Sequence, residues 1–298
     1  MDIREELINA CGALYVSFDE PMSKHTTFRV GGNADYFVKV TSAEQLASGI
    51  RLCNLKGVPV TVLGNGSNVL VSDRGIRGAV FELGRDFSDI TISREDDDIL
   101  VTAEAGAVLS NVGARLLKEG IYGFHWASGI PGSVGGAVYM NAGAYGGEMA
   151  QVIVSVRGVL PGGETAVLGR EELEYGYRHS AIPEKGLLIT EATLELTPGE
   201  PGEIRAKMAD YNSRRAEKQP LDVPSAGSTF KRPEGAFAAA LIDQCGLKGY
   251  AVGGARVSPK HAGFLVNTGS SAADYLRLVR EVQRIVELNT GFRLVIGS

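Results

Sequence analysis

A chain of 298 residues, with 44% hydrophobic and 22% charged side chains, is long enough for one large or two ordinary domains with proper cores. A net charge of −5 with mixed signs excludes the basic face that a general nucleic-acid surface needs, and no apolar run approaches the ~20 residues of a membrane span. Glycine is the outlier at 39 of 298 residues, about 13% against a typical value near 7%, and it gathers into loops, as in binding sites made by backbone.

In chain order, residues 1–13 read as a short helix with Asp2 as cap and Gly12 as stop. Residues 34–40 read as a strand, and Ser42-Ala-Glu-Gln45 is a capping-box pattern opening a helix that ends near Gly57. Residues 58–63 and 68–71 are short apolar runs read as strands, joined by Gly64-Asn-Gly-Ser67. The β pattern continues near 78–82, 88–92 and 98–103, and 107–119 is helical up to Gly120. Residues 151–160 and 186–197 are strands with a turn at Pro161-Gly-Gly163. Pro198-Gly-Glu-Pro-Gly202 is the clearest break in the chain and places a domain boundary at residue 200. Beyond it, 204–218 and 236–245 are helical, and Ser271-Ala-Ala-Asp274 caps a long helix to about Leu288 whose Tyr275, Leu278, Val279, Val282, Ile285 and Val286 form a core face.

Cys11, Cys53 and Cys245 are odd in number and far apart, and they lack metal-type spacing; they read as small buried hydrophobes in a reducing compartment. Met1-Asp-Ile-Arg-Glu-Glu6 has no apolar signal core, so a cytoplasmic location is expected. The four histidines form no metal pattern; His179 is the one placed near candidate chemistry, although a structural role is the simpler reading.

Two glycine-rich segments carry the binding signal. Gly64-Asn-Gly-Ser-Asn-Val-Leu70 fails the dinucleotide fingerprint, because Val69 takes the third glycine position and no helix pattern follows. It is either a plain β-turn or a cradle in which Gly64, Asn65, Gly66, Ser67 and Asn68 offer donors to a diphosphate. The second runs from Ser128 to Gly146, dense in Gly, Ala and small polar residues, so a ligand can lie directly against the main chain. Together they suggest one cofactor diphosphate gripped between two loops.

His25-Thr-Thr-Phe-Arg-Val-Gly-Gly-Asn-Ala-Asp35, the Gly64–Leu70 loop and the 128–146 segment resemble the FAD-binding half of UDP-N-acetylenolpyruvoylglucosamine reductases. Tyr175-Gly-Tyr-Arg178-His-Ser180, Ser225-Ala-Gly-Ser228-Thr-Phe-Lys231 and Lys260-His-Ala-Gly-Phe-Leu-Val-Asn267 resemble further motifs of that family, in order, and the spacing is similar to its shorter class without an extra substrate-clamping loop.

The resemblance implies an α+β chain: a two-part vanillyl-alcohol-oxidase-like (PCMH-type) FAD-binding domain over 1–200, followed by a smaller α+β substrate domain over 201–298. It implies non-covalent FAD, held by Arg29, Gly64, Asn65, Gly66, Ser67, Asn68, Gly129, Ile130, Pro131, Gly132, Ser133, Gly135, Gly136, Asn141, Ala142 and Gly143. It implies NADPH as reductant and a nucleotide-sugar substrate, UDP-N-acetylglucosamine enolpyruvate, reduced to UDP-N-acetylmuramate for peptidoglycan. Neither nucleic acid, membrane nor metal is expected as a partner, and the chain is expected to be a monomer or weak oligomer.

Adding hydride to an enolpyruvyl ether places negative charge on the carboxylate-bearing side and leaves a carbon that needs a proton. Arg178 suits the first need, since a guanidinium stays charged and clamps a carboxylate in two places; from the residue alone it is a surface arginine in a salt bridge. Ser228 suits the second if it is held against the reacting carbon; from the residue alone it is a cap. Tyr177, Lys218, Lys231 and Arg232 are further candidates for the nucleotide diphosphate or carboxylate.

One departure stands out. The family's closing Leu-x-x-Glu-Val pattern supplies a glutamate, and after Leu294 this chain has none before it stops. Two explanations stay open, a sequence truncated or altered at its end and a variant with impaired or differently assisted protonation; the alternative functions are a flavin oxidase of the same fold class and a catalytically impaired FAD-binding variant.

Overall fold

The computed structural model describes residues 3–95, 98–269 and 271–297, so the expected cap at Asp2 lies outside the described residues. Helix α1 (Ile3–Cys11) buries Leu7 and Cys11, one turn apart, and ends at Gly12, whose φ of +89° no β-carbon has to tolerate. Strands β1 (Val16–Pro21) and β2 (Asn33–Lys39) lead to α2 (Ala43–Leu55). The Ser42 hydroxyl accepts from the Gln45 amide at 3.1 Å, while the Gln45 side chain reaches back to the Thr41 amide at 2.7 Å, so the expected cap forms with its return arm one residue earlier. Strand β3 (Val60–Leu63) pairs in parallel with β4 (Ile76–Glu82), closing a sheet of order β1-β2-β4-β3.

The run 68–71 is not a strand. The whole stretch from Gly64 to Gly75 is irregular, and its apolar residues serve packing rather than pairing: Val71 is 4% exposed and the half-buried Leu70 packs against the C-terminal core. A short apolar run has the same pattern in either role, which is why periodicity alone misreads it.

Next come β5 (Ile90–Glu95), β6 (Asp98–Glu104), α3 (Leu109–Lys118), stopped by Gly120 at φ +65°, and β7 (Ile121–Tyr122). The second glycine-rich segment folds into α4 (Val134–Tyr139) and a ribbon of β8 (Gly143–Ala144) and β9 (Gly147–Glu148), followed by α5 (Met149–Val152). Strands β10 (Ile153–Val159) and β11 (Thr165–Gly169), helix α6 (Ile182–Lys185) and β12 (Leu188–Pro198) complete an antiparallel sheet of order β11-β10-β12-β6-β5, with β7 on β12. Helix α7 (Pro201–Lys218) follows. Then β13 (Ser225–Ser228), α8 (Ala238–Gln244), β14 (Ala251–Val252), β15 (Ala255–Val257), β16 (Phe264–Asn267) and α9 (Ala272–Thr290) form a four-stranded sheet, order β13-β16-β15-β14, with two helices.

The chain divides into two compact units, and they are not the consecutive halves 1–200 and 201–298. One unit comprises Met1–Glu20, Ala34–Asn65 and Arg77–Ser213; the other comprises Pro21–Asn33, Gly66–Ile76 and Arg214–Ser298. The first has a core of both sheets with α1–α4, where burial pushes the Cys11 and Cys53 thiols up to about 11 and leaves them inert.

In the second, two early segments are stitched into the C-terminal sheet and helices. The Thr27 hydroxyl donates to the Ser225 carbonyl at 2.7 Å, the Asn267 side-chain amide donates to the Phe28 carbonyl at 2.9 Å, and Phe28 meets Tyr275 edge-on with centroids 4.7 Å apart. The Asp73 carboxylate accepts from the Ala272 and Ala273 amides at 2.8 and 2.9 Å, beside the Ser271 cap expected from sequence. These long-range bonds outweigh chain proximity, so the break at Pro198–Gly202 is only the β12-to-α7 connection.

Asp73 supplies what α9 lacks at its start, two acceptors and a negative charge against the helix dipole. Asp73→Ala is expected to lower stability by about 1–2 kcal/mol, seen as a lower urea midpoint at unchanged slope, with Asp73→Asn losing less.

Candidate functional site

In the first unit the two glycine-rich segments touch. The Asn65 side chain donates to the Pro131 carbonyl at 2.6 Å, and Gly64 lies so close to the Ser133 hydroxyl that a β-carbon there would collide with it. Gly135 is equally constrained, since a β-carbon would come within 2.9 Å of Ala105 Cβ, whereas at Gly136 the nearest atom would be Ser133 Oγ at 3.7 Å, leaving that face open.

Not every amide of the segment is available for a ligand. Val134 and Gly135 donate to the Ala107 and Ala105 carbonyls, the Gly132 carbonyl accepts from Leu109, and Ile130 donates to Ala127. These bonds dock the loop on the end of β6 and the start of α3. Gly129 and Ile130 are half-buried here.

Asn141, 2% exposed, is the hub of the segment's far end. Its side-chain amide donates to the Gly176 carbonyl at 3.0 Å and its Oδ1 accepts from the Ala150 amide at 3.0 Å. Ala142 is fixed through both main-chain groups, its amide to Ala137 and its carbonyl from Met149.

Residues 176–179 make a tight turn in which Gly176 and His179 exchange both main-chain hydrogen bonds, at 3.1 and 3.2 Å. Tyr177 and Arg178 form its tip, with Arg178 at φ +53°, a region that L side chains avoid at a cost of about 1–2 kcal/mol. The half-buried Arg178 guanidinium donates through Nη1 to the Asn141 carbonyl and through Nη2 to the Gly143 carbonyl, each at 3.2 Å, and lies over the Tyr177 ring at 5.4 Å. Two of its five N–H groups are thus directed at loop carbonyls, and among the described residues it makes no surface salt bridge of the kind the simpler reading expects. His179 is exposed and contributes its main chain.

The Tyr175 hydroxyl, in the same motif, is buried without a partner among the described residues, and burial pushes its pKa up. A cradle that excludes β-carbons at Gly64 and Gly135 and stays open at Gly136 suits a bound group rich in acceptors, as a flavin with its diphosphate is. Tyr175 opens the 175–180 motif without a role of its own in the sequence, since a hydroxyl buried without a partner is visible only in the folded chain.

In the second unit Gly66, at φ +59°, is pressed against the His25 carbonyl, which leaves no room for a β-carbon, and its own carbonyl accepts from the Thr27 amide at 3.0 Å. Ser67 and Asn68 form the following turn. Arg29 is exposed at φ +59°, between buried Phe28 and Val30.

Ser228 ends β13, where the pairing with β16 slips between Ser225 and Ser228. This bulge at Ala226-Gly227 re-aims the strand and leaves Ser228 exposed, while Thr229 beside it is locked by the Gly263 carbonyl and the buried Tyr275 hydroxyl at 3.0 Å. Ser228 caps no helix. Lys231 donates its amide to the Val295 carbonyl, and the Arg232 guanidinium lies 4.0 Å over the exposed Phe237 ring. Lys218 is exposed in the last turn of α7, where Lys260 reaches the Ala216 carbonyl at 2.6 Å. The 260–267 motif is structural: Ser258 Oγ accepts from the Lys260 and His261 amides, and His261 Nδ1 accepts from Gly263. Among the described residues no cluster of His, Cys, Asp or Glu could hold a metal ion.

An FAD binding domain model matches residues 34–169, and a UDP-N-acetylenolpyruvoylglucosamine reductase C-terminal domain model matches 219–296. The UDP-N-acetylenolpyruvoylglucosamine reductase of Agathobacter rectalis is 48% identical over 285 residues, covering 93% of this chain and 90% of that protein. The chain belongs to the UDP-N-acetylenolpyruvoylglucosamine reductase family. A crystal structure of such a reductase from Thermus caldophilus superposes with a TM-score of 0.78 at 34% identity, covering 95% of this chain and 96% of that one. A 4-ethylphenol oxidase from Gulosibacter chungangensis shares the fold alone, with a TM-score of 0.53 at 15% identity over 94% of this chain and 62% of that one. The fold is the expected PCMH type, and the protein is an FAD-containing oxidoreductase.

Gly64→Ala should impose about 1–3 kcal/mol of overpacking at the loop contact, read as at least a tenfold weaker FAD retention in a fluorescence titration. Ser133→Gly in the same chain should restore much of the loss; unchanged retention in Gly64→Ala would show that this contact does not shape the flavin cradle.

Proposed function

We propose that this reductase converts UDP-N-acetylglucosamine enolpyruvate to UDP-N-acetylmuramate, with Arg178 binding the carboxylate-bearing side of the substrate and Ser228 delivering the proton. The observation that carries the reading is Arg178: a strained αL residue whose guanidinium is bonded to the carbonyls of the glycine-rich segment. A charge fixed in this way needs no reorganisation when negative charge develops beside it. FAD, reduced by NADPH, supplies the hydride when bound.

Within that scheme the flavin is held by Arg29, Gly64, Asn65, Gly66, Ser67, Asn68, the 129–133 stretch, Gly135, Gly136 and the 141–143 stretch. Tyr177, Lys218, Lys231 and Arg232 serve the nucleotide-sugar. Ser228 is a weak acid in water, so its contribution rests on position; the bulge before it and the anchored Thr229 after it are what hold that position. The protein acts in the cytoplasm as a monomer or weak oligomer, and among the described residues no helix is long and apolar enough to cross a membrane.

The oxidase alternative gives Arg178 and Ser228 no task. The missing glutamate has a definite address: Gly297 follows Leu294 by three residues, and its amide donates to the Thr229 carbonyl at 2.9 Å, across from the residue next to Ser228. A β-carbon there would meet Lys231 N at 3.4 Å and Lys231 Cγ and the Phe230 carbonyl carbon at 3.6 Å, all ordinary contact distances, so a side chain fits. We infer that proton delivery in this chain runs without that carboxylate and is slower for it.

Anaerobic stopped-flow measurements test both points. Ser228→Ala should leave flavin reduction by NADPH intact and slow reoxidation by substrate by roughly two to four orders of magnitude; unaltered reoxidation would reduce Ser228 to a strand residue. Gly297→Glu should speed reoxidation by substrate, and no gain would sink the idea that this chain lacks an acid there.

A further inference from the structure

Helix α7 is exposed along most of its length and buries only Ile204, yet Ile204, Lys207 and Tyr211 fall three and four residues apart on one stripe. That stripe grips a column of rings. Tyr211 stacks on Tyr145 with centroids 4.3 Å apart and planes 5° from parallel, and the Tyr145 hydroxyl donates to the Tyr211 carbonyl at 3.1 Å. Tyr211 also stacks on His125 with centroids 6.0 Å apart, and the His125 and Tyr122 centroids are 4.5 Å apart. Lys207, one turn before Tyr211, closes the column with its ammonium donating to the Tyr122 hydroxyl at 2.6 Å.

Tyr145 is the tip of the β8–β9 ribbon, at φ +53°, followed by Gly146 at φ +86°. The ribbon's other support is Trp126, whose ring lies flat enough against Gly147 that a β-carbon there would overlap it. Two residues before Tyr145, the Gly143 carbonyl receives Arg178 Nη2. A two-residue-stranded ribbon does not hold its own shape in water, so these ring contacts must set it.

We propose that Tyr211 is a positioning residue for Arg178, acting through Tyr145 and the 141–146 segment without touching substrate or cofactor. Arg178 takes its direction from the Asn141 and Gly143 carbonyls, the second of which belongs to the ribbon and the first to the residues leading into it, and the ribbon's tip is fixed by the Tyr211 ring and main chain. The inference rests on the role given to Arg178 above.

The test compares Tyr211→Ala and Tyr211→Phe as holoenzymes, reading amide hydrogen exchange of the 141–148 segment by mass spectrometry and reoxidation of the reduced enzyme by UDP-N-acetylglucosamine enolpyruvate. Tyr211→Ala should raise exchange in that segment and slow reoxidation by about tenfold, the order expected for a lost positioning contact, whereas Tyr211→Phe, which keeps the ring and the carbonyl, should match wild type in both. Unchanged exchange or unchanged reoxidation in Tyr211→Ala would overturn the proposal. If Tyr211→Ala fails to fold, Tyr145→Leu removes the partner ring and carries the same expectations. Wild-type reoxidation measured alongside tests the function by itself: its absence removes that reading, while the exchange data still judge the ribbon.

Discussion

The bond between the Arg178 guanidinium and the carbonyls of Asn141 and Gly143 is the interaction on which the first unit's site depends. It ties the turn that carries the candidate catalytic charge to the segment that carries the flavin cradle. Both ends are strained, with Arg178 at φ +53° and Asn141 at φ +44°. Such conformations persist only where neighbouring contacts over-determine them, and here the Asn141 side chain does so by bonding the Gly176 and Ala150 main chains at once. The glycines answer a second constraint of the same kind. At Gly64, Gly135 and Gly147 the chain passes too close to Ser133, Ala105 and Trp126 for any side chain.

The second unit meets its requirement differently. Ser228 is displayed by a bulge in a regular sheet, and its neighbour Thr229 is bonded to Tyr275 in the core. Rigid strand geometry there replaces the loop-on-loop bracing around Arg178. Gly297, paired with Thr229, shows that the same sheet edge has room for one more side chain than this sequence provides.

Local signals in the sequence translated well. Ser42 and Ser271 cap the helices they were expected to cap, and Gly12, Gly57 and Gly120 sit at positive φ where helices stop. Non-local relations were not legible. The apolar run at 69–71 reads as a short strand would, but Leu70 packs on a core assembled from distant segments and Val71 is buried in an irregular stretch, and no local pattern announces that Asp73 caps a helix some 200 residues later. The glycine-rich loops and the Arg178 and Ser228 motifs were readable because family motifs run in order along the chain. The groups that brace them, Tyr145, Tyr211 and the Ala226-Gly227 bulge, were not, since a ring stack or a register slip exists only once two elements meet.

The central claim is that one chain both accepts electrons from NADPH into FAD and passes them to an enolpyruvyl nucleotide-sugar. The most direct measurement follows the flavin absorbance of the purified holoenzyme without oxygen, first with NADPH and then with UDP-N-acetylglucosamine enolpyruvate. The account predicts bleaching by NADPH and return of the oxidised spectrum on adding the nucleotide-sugar, with UDP-N-acetylmuramate formed in equal amount. A flavin that NADPH does not bleach, or that stays reduced in the presence of the nucleotide-sugar, would contradict it.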